Sequence, residues 1–469
     1  MDGNGSSATL DNIRNDNGSR VALREACRVW LRLAYLGFGG SAYQLAAMRR
    51  ILVEEKRWIS ERRFLQALDF CLLLPGPEAQ KLATYLGWLM HRTLGGIIAG
   101  GLLIAPGVAS IMLLSYIYTG LGKLPTVGAL LFGLRAALIA IILESLIRIG
   151  RRSLRSRAAI ALAAAAFIGI FLLAIPFPII VLSAAALGFV ASRAGLVAFQ
   201  SRQPVELGSQ LGPAILEGLF GDELRQGAKP NIGRAFKIAV IWLVLWLLPV
   251  DAVAVKFGEA NVFSQVATFF SQIAILSFGN SYAVFAYVAQ QAVQSLQWLT
   301  PGELLAGLGM AQTPGPPAVA LQFVAFVAAY RDPGTLSPTV AGILGGLLAT
   351  WVVFTPCFLW VFVGAPFAET LRDSKATMAT LSAIMAATVG ITLSLAVWFA
   401  IHTIFHETTL IDAFPFAFDW PKPASIDPWA LTLSVAAALA IFRFKIGTIP
   451  TLIACCVAGV ALGFLDVFP

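Results

Sequence analysis

The residues best placed to do chemistry in this chain are polar side chains set inside long apolar runs. Asp69, Glu78 and Lys81 surround the triplet Pro75-Gly76-Pro77. Gly37-Phe38-Gly39-Gly40 interrupts an earlier apolar run in the same way. Gly and Pro both break helices, and Pro77 has no N–H to donate. Unwound backbone at membrane depth survives only where protein or water satisfies it. A half-helix starting after Pro77 points its N–H groups and positive dipole end at the break, which is a ready site for an anion. The same holds after Pro316, in Thr313-Pro314-Gly315-Pro316.

Each polar side chain here has a structural and a functional reading. Glu78 complements the helix dipole, and Lys81 lies at ion-pair spacing from it. The pair can satisfy itself; alternatively Lys81 holds a dianion while Glu78 carries a proton or gates. Arg135 has only apolar neighbours one turn away: Leu131, Phe132, Leu138 and Ile139. It therefore needs a polar cavity or a partner on another helix. Gln44, Gln80, Gln272, Gln312 and Gln322 can donate to an oxyanion or cross-link helices.

The motifs of soluble chemistry are missing. No GxxxxGK[ST], HExxH or GxSxG occurs, so neither ATP-driven transport nor an enzyme is expected. The five cysteines form no CxxC. His402 and His406 resemble a metal pair only loosely, because Glu407 is misplaced for a zincin. Neither a metal nor a cofactor is expected.

The elements that must position these residues are membrane segments. Of 469 residues, 58% are hydrophobic and 12% charged, with mean hydropathy +0.80. An average soluble domain carries roughly 25% charge, whereas each spanning helix takes about 20 apolar residues. The net charge of +8 resides in short basic loops beside apolar runs, the positive-inside pattern. The expected fold is an all-α polytopic membrane protein with about 13 apolar segments, some broken or re-entrant.

The chain repeats itself. Phe38-Gly39-Gly40-Ser41 matches Phe278-Gly279-Asn280-Ser281, and Trp58 matches Trp298 at the same offset of 240. Leu74-Pro75-Gly76-Pro77 then matches Thr313-Pro314-Gly315-Pro316, and Gly100-Gly101-Leu102-Leu103 matches Gly345-Gly346-Leu347-Leu348. Gly96 with Gly100, and Gly342 with Gly346, add matched GxxxG pairs that predict close packing. Residues 49–63 carry six Lys or Arg and the matching 292–302 none. The bias reverses at 366–375, which holds Arg372 and Lys375. These loops predict two homologous six-segment halves in opposite orientations, an inverted repeat. The divisions are a disordered cytoplasmic tail at 1–20, a first repeat at 21–195, a cytoplasmic linker at 196–234, a connecting helix at 235–255 and a second repeat at 256–469. Loops 49–63 and 366–375 should be cytoplasmic, and 292–302 and 402–427 periplasmic. Basic residues on both sides of 25–48 and 65–90 leave spanning and re-entry open for the broken segments.

The expected substrate-binding residues follow. In the first half they are Phe38, Gly39, Gly40 and Gln44; Pro75, Gly76, Pro77, Glu78, Gln80 and Lys81; and Arg135. In the second half they are Phe278, Gly279 and Asn280, with Thr313, Pro314, Gly315 and Pro316.

These motifs resemble the chromate ion transporter family in its long two-domain form. The resemblance rests on Phe38-Gly39-Gly40, the run Val53–Ser60 and Leu73-Leu74-Pro75-Gly76-Pro77-Glu78-Ala79-Gln80. It continues through Tyr282-Ala283-Val284 and Leu321-Gln322-Phe323-Val324, covering residues 25–400 in order. Asn280 stands where a second Gly is usual, and Gln312 where an acid often precedes TPGP. The resemblance implies gradient-driven chromate efflux and chromate resistance, with sulfate as a structural analogue. It places the chain in a bacterial inner membrane with a cytoplasmic N-terminus. Expected partners are chromate or a related oxyanion, the bilayer and a second copy in a homodimer, and no nucleic acid. Export is downhill electrically: a dianion leaving across 100 mV, inside negative, gains about 4.6 kcal/mol. The alternative is a passive anion channel of the same fold.

Overall fold

The computed structural model describes residues 21–37, 40–122, 124–195, 232–278, 281–312, 315–368, 374–413 and 416–465. The expected tail at 1–20, most of the linker, Phe38, Gly39, Gly279, Asn280, Thr313, Pro314 and Arg372 lie outside the described residues.

Helices dominate. The first half comprises α1 (Leu23–Leu36), α2 (Ser41–Arg49), α3 (Glu61–Leu73), α4 (Glu78–Leu121), α5 (Pro125–Ser153), α6 (Arg157–Phe171) and α7 (Phe177–Arg193). Helix α8 (Ile232–Phe257) connects to α9 (Val262–Leu276), α10 (Ser281–Val288), α11 (Pro301–Met310), α12 (Leu321–Arg331), α13 (Pro338–Gly364), α14 (Lys375–Ile404), α15 (Pro428–Phe442) and α16 (Thr448–Phe464). Their starts obey local rules. Ser60, Ser156, Asn261, Ser374 and Asp427 cap orphan N–H groups, and Pro opens α5, α11 and α13. Among the described residues, five helices are long and apolar enough to cross a membrane: α4, α5, α8, α13 with its last turn, and α14. Helix α8 buries only Trp246, so nearly all of its apolar surface faces outward.

The all-helical expectation needs one correction. In the 402–427 loop, β1 (Thr408–Ala413) pairs antiparallel with β2 (Phe416–Pro421), with Thr408 opposite Pro421. Phe418 and Trp420 meet edge to face within this hairpin, and Phe418 reaches Phe171 at the end of α6. Lys422 bonds Glu407 at its base, 2.7 Å away, holding that carboxyl below its ordinary range.

The sequence repeat is written into the backbone. After α2 and after α10 the chain widens into a π turn, Arg50–Glu55 and Ala289–Ser295. Arg57 and Gln297 then both take φ 51°. Trp58 N–H donates to the Leu52 carbonyl at 2.9 Å, and Trp298 N–H to Ala292 at 2.8 Å. Ser60 and Thr300 cap the helices that follow.

The broken segments double back. Lys56, after α2, pairs with Glu25 at the start of α1, 2.8 Å away. Arg49 pairs with Glu61 at the start of α3. Helix α4 kinks at His91 and Arg92, and the His91 ring donates to the Val21 carbonyl at 2.7 Å. The outer ends of α1, α2, α3 and the short first arm of α4 therefore meet at one level. A chain that crossed in line from 25 to 48 would separate Glu25 and Lys56 by a membrane thickness. In the second half Arg331, ending α12, bonds Glu303 at 2.6 Å and the Trp298 carbonyl at 2.7 Å, so α11 and α12 form a matching hairpin.

The hairpin bases lie at opposite ends of the long arm of α4 that follows the kink. The first-half base sits at His91. The Glu303 base faces Tyr118 and Arg135, and Tyr118 is roughly 40 Å further along a helix rising 1.5 Å per residue.

Candidate anion site

The first break is held by partners from the other half. Leu74, Pro75, Gly76 and Pro77 are all buried. The Gly76 N–H donates to the Ser277 carbonyl at 2.6 Å, where α9 ends. Gly76 has φ +106°, and a Cβ there would meet the Cys357 thiol at 2.5 Å. Only glycine meets both conditions. The second break mirrors this contact. Gly315, at φ +124°, would meet Gly107 Cα at 2.9 Å with its Cβ. Gly107 and Cys357 each follow a proline inside a long helix, Pro106 and Pro356. Gly40, at φ +91°, lies beside Pro317, so each Gly break meets the Pro break of the opposite half.

Lys81 is fully buried, and its ammonium donates across the break to the Leu74 carbonyl. Of the two readings of the Glu78–Lys81 spacing, the self-contained ion pair is not formed: the ammonium bonds this carbonyl instead. Glu78 instead lines a small cavity with Gly76, Pro77, Ser277, Ala318 and Leu321. Its volume is about 10 Å³, room for at most one water and too little for a five-atom oxyanion. The helical ladder starts with Lys81 N–H to the Pro77 carbonyl at 3.1 Å. The N–H groups of Glu78, Ala79 and Gln80 are left without helical partners. Three donors, one buried cation and a dipole end converge there, which is anion-binding chemistry.

The second break is chemically poorer. Pro316 and Pro317 are consecutive, and neither has an N–H. Val319 N–H already donates to the Pro316 carbonyl at 2.9 Å. Ala320 stands where Lys81 stands in the first half. Among the described residues Pro316–Ala320 no cation is present, and Pro317 removes the donor that Glu78 keeps in the first half.

The remaining expected residues disperse. Gln44 donates to the Gly37 carbonyl at 3.4 Å, bracing the first Gly break. Gln80 reaches the Phe354 carbonyl at 3.5 Å and Gln312 the Tyr282 hydroxyl at 3.2 Å, each with its own amide oxygen unpaired. Phe278 is half-buried beside Ser277. Arg135 lies apart from Lys81: its guanidinium packs on Gly302, where a Cβ would meet Nη2 at 2.9 Å, and faces Glu303. Its Nε is buried without a hydrogen-bond partner. The GxxxG pairs pack closely: a Cβ on Gly96 would meet Phe362 at 2.6 Å, and one on Gly342 would meet Phe326 at 2.9 Å.

Sequence reasoning missed Ser277, Cys357 and Tyr282. Cys357 and Ser277 act across the halves, where periodicity carries no signal. Tyr282 stands inside one of the motifs read above and could have been nominated from it.

The sequence profile described as chromate transporter matches residues 24–189 and 264–461. The chain is similar to a chromate transport protein of Cupriavidus metallidurans, 26% identical over 369 residues, 78% of this chain and 80% of the relative. A chromate transport protein of Pseudomonas aeruginosa is 29% identical over 366 residues, 77% of each. A probable chromate transport protein of Synechococcus elongatus is 28% identical, covering 74% of this chain and 76% of the relative. No solved structure matches the chain.

Proposed function

The chain belongs to the chromate transporter family, and from that premise we propose that it is a secondary carrier exporting chromate across the bacterial inner membrane. The observation that carries this reading is Lys81. A lysine is buried completely at a helix break, its ammonium held by one carbonyl beside three free N–H groups. Lysine almost never occupies such a position without a charge to meet. A compact dianion supplies that charge.

One site per chain follows from the inequality of the breaks. The first break binds the oxyanion, and the second, with its paired prolines and Ala320, acts as the opposing wall. Glu78, lining the same cavity, carries the proton or gates the site. Arg135 serves the far end of the path, where with Arg331 it flanks Glu303.

The halves work as an inverted repeat with the N-terminus cytoplasmic. The reciprocal contacts of Gly76 with Cys357 and of Gly315 with Gly107 support this, as do the hairpin bases at opposite ends of the long arm of α4. Rocking one pair of hairpins against the other would open the site to one side at a time. The cavity of about 10 Å³ corresponds to a closed stage of that cycle. The test is chromate flux in proteoliposomes under an imposed voltage. Saturable, voltage-driven movement lost in Lys81→Gln is expected; flux unchanged in that variant would remove the basis of the reading.

A further inference from the structure

The outward face of α1 changes chemistry along its length. Arg24, Arg28 and Arg32 are exposed and stand four residues apart, forming one stripe. The same face continues as Leu31, Tyr35 and Leu36, which are 42%, 59% and 46% exposed. An open groove of about 510 Å³ runs beside the stripe, lined by these three arginines, Lys56 and Glu25. Lys56 is neutralised by Glu25 at 2.8 Å, and Arg32 by Glu55 at 3.0 Å. Among the described residues, Arg24 and Arg28 have no acidic partner.

We infer that this groove binds the headgroup of an anionic phospholipid, whose acyl chains lie along Leu31, Tyr35 and Leu36. Four cations face one carboxylate in the groove, and two of the four are uncommitted, so the groove carries a net positive charge that favours an anion. The apolar continuation selects a lipid over a soluble anion. From Arg28 to Leu36 the helix rises about 12 Å, enough to carry one face from the headgroup layer into the hydrocarbon. The groove also lies at the level where the first-half hairpins end, beside the basic loop 49–63, where an inner leaflet rich in acidic lipid would meet it. Helix α1 runs straight into the Gly37 break, so the lipid would seat the outer arm of the first hairpin.

The test uses the full-length protein in detergent, followed by native mass spectrometry. It is titrated with phosphatidylglycerol, phosphatidylcholine and soluble glycerol phosphate. Phosphatidylglycerol should be retained in preference to phosphatidylcholine, and glycerol phosphate should not displace it. Arg24→Gln with Arg28→Gln should weaken phosphatidylglycerol binding by about 30-fold, given roughly 1 kcal/mol per basic residue. Both side chains are exposed, so the fold should survive, and an unchanged elution profile checks this. Leu31→Ser with Tyr35→Ser leaves the charges intact and should also weaken the lipid. Equal retention of the two lipids, unchanged binding in the arginine variant, or displacement by glycerol phosphate would each overturn the assignment.

Discussion

Gly76 gives its backbone N–H to the carbonyl of Ser277, 2.6 Å away, and so ties the Pro break of one half to the Gly break of the other. Neither break has a complete set of partners within its own half. A shift of one hairpin against the other would break this bond.

Gly76 should tolerate no side chain. Gly76→Ala meets two penalties: overpacking against Cys357, about 1–3 kcal/mol, and backbone strain at φ +106°, about 1–3 kcal/mol. Adding Cys357→Ala removes only the first. The melting temperature in detergent should fall in the single variant and recover partway in the double. Full recovery, or none, would contradict this division.

Removing the charge of Lys81 should weaken chromate binding more than it weakens the fold. A charged hydrogen bond is worth about 1.5–3 kcal/mol, or roughly 10–100-fold in affinity. Isothermal titration of purified Lys81→Gln against wild type reads this directly, with membrane protein level as the control.

Binding should saturate at one chromate per chain. The first break offers three N–H groups without helical partners and a lysine, whereas the second has Pro317 and Ala320 at the positions of Glu78 and Lys81. Equilibrium dialysis with labelled chromate gives the count; two equivalent sites would show that Pro316, Pro317 and Ala320 are no obstacle.

Two chemically alike ion pairs should differ in weight. Glu303, 14% exposed, holds Arg331 at 2.6 Å and completes a capping box with Thr300. Glu303→Gln should cost about 1–3 kcal/mol of stability. Glu55, 37% exposed, pairs with Arg32, and Glu55→Gln should cost less than about 1 kcal/mol. Thermal unfolding in detergent compares them.

Cysteines introduced in 49–63 and in 292–302 should label from opposite sides of the membrane. The first loop joins the hairpin base at His91, the second the base near Tyr118. Labelling of both from one side would end the inverted-repeat account.

Much of this was legible in the sequence, because glycine and proline act locally. The breaks at 37–40 and 75–77, their repeats and the caps at Ser60 and Thr300 follow from residue type and spacing. The inequality of the breaks was missed, although Pro317, wherever it stands, removes a donor that Glu78 keeps. The doubling back of the first segments was not legible, because the basic residues near 25, 49 and 92 fit either path. The contacts of Glu25 with Lys56 and of His91 with Val21 show it, and no periodicity predicts them. The strands at 408–421 were hidden because that loop was read for charge. Its alternating Phe416, Phe418 and Trp420 carried the strand signal.

The most direct test is voltage-driven chromate flux. Wild-type protein and Lys81→Gln are reconstituted at equal density in chromate-loaded proteoliposomes, and efflux is followed under an inside-negative potential. The account predicts saturable efflux that rises with voltage in the wild type and falls at least about tenfold in the variant, by the loss of one charged hydrogen bond. Equal efflux from both, or conduction that never saturates, would contradict a carrier built around Lys81.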